Sequence, residues 1–123
     1  MSESLLLNLI ELLAITSKFR KDRDRIVHII NFFLRNQLGI LNTGKYDALF
    51  EEHWAKKTER GDTEYAVNDS TRAIKICTAL NGELTQPQKL SILIVMFSIV
   101  EDNRSIGETE LQFIQTISEM FNI

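Results

Sequence analysis

Thr85-Gln86-Pro87-Gln88 opens the stretch on which the fold turns, because the apolar run behind it reads two ways. Ile92-Leu93-Ile94-Val95-Met96-Phe97 is rich in β-branched residues, and taken alone it suits a strand. The residues in front of it decide otherwise. Threonine followed three positions later by glutamine is a capping box, and proline is tolerated in a helix's first turn, where its missing N–H has no partner anyway. The apolar run from Leu90 to Val100 also outlasts a usual strand of about five or six residues. The spacing predicts a central helix buried nearly all round.

Outward from that helix, the same periodicity repeats. Leu6, Leu9, Ile10, Leu13 and Ala14 line one face of a helix expected from about Glu3 to Phe19. Ile26, Ile29, Ile30, Phe33, Leu34 and Leu38 line a second, with Asp22 or Asp24 as its cap and Gly39 placed to stop it. After the turn signal Asn42-Thr43-Gly44, a helix from about Lys45 to Arg60 carries Tyr46, Leu49, Phe50, His53 and Trp54 and ends at Gly61-Asp62. A shorter helix capped by Asp69 or Ser70 carries Ala73, Ile74, Cys77 and Leu80 and closes at Asn81-Gly82. Beyond the central helix, Ser105 with Glu108 and Gly107 with Glu110 hold cap spacing ahead of Leu111, Ile114, Ile117 and Phe121. The expected fold is an all-α, single-domain helical bundle of five to seven helices.

Composition agrees. Five glycines and one proline in 123 residues exclude a turn-rich all-β fold and a disordered chain. A 44% hydrophobic chain of this length can bury a core without staples. A single cysteine, Cys77, allows no internal disulfide. The net charge of −3 gives no reason to expect nucleic acid. Glu3 and Glu11 interrupt the apolar N-terminus, which therefore lacks the form of a signal peptide. The run from Leu90 to Val100 falls short of the ~20 residues of a transmembrane segment, so the expected location is cytoplasmic.

The two ends of the chain resemble each other. Each reads apolar helix, polar break, second apolar helix and a closing triplet, Leu38-Gly39-Ile40 in the first and Phe121-Asn122-Ile123 in the second. A helical hairpin cannot cover its own apolar stripes, so a pseudo-twofold repeat of helical hairpins is the simplest core. Within the second hairpin, Glu101-Asp102-Asn103, Ile106-Gly107-Glu108-Thr109-Glu110, Phe113-Ile114, Ile117 and Phe121-Asn122-Ile123 resemble the TerB-like domain of tellurite-resistance proteins. Asp102, Asn103, Ile106 and Glu110 stand where that family has Asp, Gly, Ile and Glu, with one extra residue between Asn103 and Ile106. The match covers about the last third of the chain, and the first third matches only at Leu38-Gly39-Ile40. The resemblance implies a non-catalytic interaction or accessory module in stress response or membrane-associated assembly.

Candidate chemistry is sparse. Gly39 to Lys45 has the spacing of a phosphate-binding loop, but Tyr46 replaces the magnesium-binding Ser or Thr and the loop leaves a helix. His28 and His53 lack the partners of a zinc or di-iron site, and Cys77 lies on an apolar face, so no catalytic residue is expected. An enzyme would need a pocket gathering Glu51, Glu52 and His53. Two charged turns stand out. Lys18, Arg20, Lys21, Arg23 and Arg25 form a basic cluster suited to an acidic partner, or to internal salt bridges. Glu101, Asp102, Asn103, Glu108 and Glu110 form an acidic one, with the hard oxygen ligands a divalent cation would take. The resemblance links such turns to metal, whereas helix-start electrostatics account for Glu108 and Glu110 without one. If the two turns lie side by side, they neutralise each other within the monomer. The functional expectation is a module that binds a protein partner or an appended domain, the chain standing as the N-terminal domain of a longer polypeptide; divalent-metal binding around Asp102 is the alternative.

Overall fold

The computed structural model describes residues 2–58, 65, 67–101 and 105–123. Among these the chain forms a single bundle of six helices with no strand: α1 (Glu3–Thr16), α2 (Arg23–Asn36), α3 (Gly44–Thr58), α4 (Val67–Glu83), α5 (Gln86–Val100) and α6 (Glu108–Met120). No described helix is long and apolar enough to cross a membrane.

The cap that decided the fold is formed in full. Thr85 Oγ1 accepts from the Gln88 backbone N–H at 3.3 Å, and Gln88 Oε1 accepts from the Thr85 N–H at 2.9 Å. Two orphan donors of α5 are thereby satisfied. The helix is less enclosed than its composition suggests. Leu90, Ile94 and Phe97 remain exposed along one side, whereas Ile92, Leu93, Met96 and Ile99 point into the core. The role of central helix falls to α1, which packs against α3, α4 and α5. Leu5, Leu6, Leu9, Ile10, Leu12, Leu13 and Ala14 are all buried there. Thr16 and Ser17 are buried at its end without penalty, their hydroxyls donating to the carbonyls of Leu12 and Leu13 at 2.8 and 2.7 Å.

Other boundaries move for local reasons. α1 stops at Thr16, three residues before Phe19, as the Ser17 N–H closes the last turn onto Leu13 and Ala14. α4 begins at Val67 and runs through Asn81-Gly82, so Asp69 lies in its first turn instead of capping it. The register of α4 also differs from the expected stripe: Ile74 is exposed, and Ile76 joins Ala73, Cys77 and Leu80 in the core. Gly61 and Asp62, the expected end of α3, lie outside the described residues.

The hairpins meet where α1 and α2 both pack on α5. Their counterparts are not packed alike, since α5 lies directly on α6 while α1 packs chiefly on α3 and α4. α2 runs antiparallel to α5. Arg25 near its start donates to the Ser98 and Ile99 carbonyls at the end of α5, and Gln37 beyond its end lines a crevice with Gln88.

The shared ending of the repeat has a backbone counterpart. Gly39 (φ 69°) and Asn122 (φ 58°) are both left-handed, each followed by isoleucine. At the second, the Asn122 N–H reaches Glu119 O at 3.0 Å and the Ile123 N–H reaches Ser118 O at 3.1 Å, which is a Schellman closure. A left-handed residue with a Cβ costs about 1 kcal/mol, less for asparagine. Asn122→Gly should therefore raise the melting temperature by about 1–3 °C and Asn122→Ala lower it by a similar amount, read by thermal circular dichroism.

Candidate functional site

The basic turn between α1 and α2 is where the sequence concentrates charge, and its cations are drawn inward to different helices. Lys18 Nζ lies 3.2 Å from Asp69 Oδ2 of α4 and 5.9 Å from the ring centres of Phe19 and Tyr65. Arg20 Nη2 donates to Glu110 Oε1 in the first turn of α6 at 2.7 Å, with the Glu110 side chain 4% exposed. Arg23 pairs with Glu51 of α3 and with Asp24. Arg25 binds Asp22 and donates to Ser98 O at 2.9 Å and Ile99 O at 2.8 Å, placing a cation at the negative end of α5. Lys21 is exposed. One short turn thus ties four helices together, and the two oppositely charged turns meet inside the monomer through Arg20 and Glu110.

That arrangement bears on the acidic candidates. Glu110 is turned into the core edge and committed to Arg20, while Glu101 and Glu108 are exposed. Asp102 and Asn103 lie outside the described residues. Among the described residues, no three His, Cys, Asp or Glu side chains converge as a metal site.

A polar cleft of about 210 Å³ lies on the α1 side of the bundle, lined by Glu11, Lys18, His53, Lys56 and Asp69 among others. It does not assemble the trio an enzyme reading requires. Glu51 is taken by Arg23, Glu52 sits 3.9 Å from Lys56, and His53 shares the cleft with Glu11. Glu11 is held by a two-point contact with Arg72, Nε to Oε2 at 2.7 Å and Nη2 to Oε1 at 2.9 Å. That hydrogen bond keeps its carboxyl below the usual range, against the opposing effect of burial. Burial pushes the His53 imidazole below its ordinary 6.5, helped by Lys56 and Arg72 and opposed by Glu11 and Glu52. Cys77 is enclosed, and burial lifts its thiol to about 12, far from a thiolate nucleophile.

The His53 shift sets a pH signature. The folded chain resists protonating His53, so its contribution to stability is complete above pH 6.5 and declines as pH falls through that value towards the lower folded one. Glu11 acts in a second window, its contribution being present above about 4.5 and lost as pH falls towards its depressed value. Urea midpoints for wild type should drop as pH falls below 6.5, and His53→Gln should flatten that step while leaving the more acidic one.

A groove of about 310 Å³ runs between α2 and α5, lined by residues such as Ile29, Phe32, Phe33, Ser91, Ile94 and Ser98. No lining residue is Asp, Glu, Lys or Arg. Phe32 is 60% exposed and Ile94 57%, and Leu90 and Phe97 extend the apolar surface along α5. Sequence reasoning missed this face by treating α5 as enclosed. The signal was present in Ser91 and Ser98, seven residues apart around Ile94 and therefore on one side of the helix. The chain, compared with protein-family models, curated proteins and solved structures, matches none of them.

Proposed function

We propose that this chain is a non-catalytic protein-interaction module, of the kind its resemblance to TerB-like domains implies, and that it docks through the α2–α5 face. The observation that carries this reading is the uncharged apolar groove between those helices, flanked by Phe32 and Ile94 with more than half of each side chain exposed. Exposed large apolar residues that adjoin one another around a groove mark interaction surfaces, whereas the same residues scattered singly would not. The groove matches the geometry that receives an apolar helix face, read as anchors at three- and four-residue spacing. The basic turn is a poorer docking surface, because Lys18, Arg20, Arg23 and Arg25 already hold the bundle together.

Co-purification from cells with three baits tests the reading. Wild type and Lys21→Glu should retain the same bound proteins, whether further copies of the chain or others, and Ile94→Glu should lose them. Binding that survives Ile94→Glu and disappears with Lys21→Glu contradicts it.

A further inference from the structure

We propose that the occupant of the α2–α5 face is a second copy of this chain, with α5 packed antiparallel on α5 of its partner about a twofold axis at Ile94. The inference rests on the docking reading above and names its partner. Exposed positions 90, 94 and 97 share one face of α5 with Ser91 and Ser98. Around the helix, Leu90 and Phe97 lie on one flank of Ile94 and Ser91 and Ser98 on the other. Antiparallel pairing centred on Ile94 keeps each flank on its own side, so Leu90 meets Phe97 of the partner subunit, Ser91 meets Ser98 of the partner subunit, and Ile94 meets its own copy. Apolar side chains then join apolar ones, and the small serines let the two helices approach closely. Parallel pairing would set each bulky side chain against a serine, so the antiparallel arrangement is the one that joins the apolar surface to itself.

Three further observations agree. First, the serines can be covered without cost, since Ser91 Oγ already donates to Pro87 O at 3.0 Å and Ser98 Oγ to Ile94 O at 2.9 Å. Second, the rim charges are complementary under the same axis. Arg35 continues the exposed line of His28 and Phe32 on α2, at the end of the face where α5 begins, and Glu101 continues the line of Ile94 and Phe97 where α5 ends. Antiparallel pairing brings each Arg35 towards Glu101 of the partner subunit, twice per dimer. Third, the size fits a dissociable contact. The four exposed apolar side chains offer roughly 400 Å² per copy, about half of the ~800 Å² each partner buries in a standard interface, with the charged rim supplying more.

Sedimentation equilibrium of the full chain from about 1 to about 300 μM, the range for an association of this size, tests the proposal. Wild type is expected to show a reversible monomer–dimer equilibrium. Ile94→Glu, which sets two carboxylates together on the axis, should weaken it more than about 100-fold with an unchanged far-ultraviolet spectrum. Arg35→Glu or Glu101→Arg alone should weaken it by about tenfold, and the two together should restore it; this swap leaves the core untouched and stays decisive if Ile94→Glu fails to fold. A monomer throughout the range overturns the proposal, as does a dimer indifferent to Ile94→Glu or a charge swap that does not rescue. A monomeric chain that still co-purifies other proteins in an Ile94-dependent way overturns the second-copy inference alone. A monomeric chain that captures nothing overturns the docking reading with it.

Discussion

Glu110→Ala should lower the unfolding free energy by about 3–5 kcal/mol, the largest loss expected from any single polar side chain in the bundle. Glu110 is 3% exposed and sits in the first turn of α6, where its charge also complements the helix dipole. Its partner Arg20 comes from the turn after α1, ninety positions earlier in sequence, so the contact joins the two ends of the chain. Truncating the acid takes the counter-charge at 2.7 Å away from a largely enclosed guanidinium, and that desolvated cation is the reason the loss is large. Arg20→Met combined with Glu110→Leu should recover most of the stability, since replacing both charges by apolar groups removes the penalty. Chemical denaturation of the two singles and the double measures this directly. A loss below about 1 kcal/mol for Glu110→Ala would assign the pair to the weak surface class.

Phe50→Ala should cost a similar amount, about 3–5 kcal/mol, by a different route. Phe50 is 1% exposed and is one of the largest fully enclosed side chains. It packs with its ring centre 5.8 Å from that of Trp54, on a helix that otherwise carries many polar residues. Deleting the ring leaves a cavity in the core beneath α3, whose main seam is with α1, and the surroundings close it only in part. The damage should be local to that seam. Amide exchange in α3 should accelerate while α5, on the other side of α1, keeps its protection. Uniform acceleration in both helices would mean that α3 is part of the global cooperative unit.

Whether a feature could be read from the sequence depends on the range of the forces that set it. Helix identity was legible at Thr85 to Gln88 because a capping box is closed within four residues and depends on nothing distant. The stop at Gly39 was legible for the same reason, whereas the left-handed turn at Asn122 showed in the sequence only as a shared closing triplet. The choice of central helix was not. α1 and α5 are both strongly apolar, and only the docking of α3 and α4 onto α1 makes it the enclosed one. Ile74 and Ile76 exchanged roles on α4 because two residues on a helix are far apart in angle, and a small change in start point turns a different side inward. The basic cluster could be read as a binding patch because its partners Asp69, Glu110, Glu51 and the α5 carbonyls lie far away in sequence. Opposite charges on separate turns suggested the pairing, and tertiary structure supplied it. The α2–α5 face needed both helices in register before Phe32 and Ile94 could be seen as neighbours.

The proposed docking surface is the uncharged α2–α5 face, and not the basic turn. Photo-crosslinking in living cells tests it most directly, with a benzophenone side chain placed either at position 94 or at position 21. Covalent adducts are expected from position 94, including one of twice the chain's mass, and none from position 21. Adducts from position 21 with none from position 94 would contradict it.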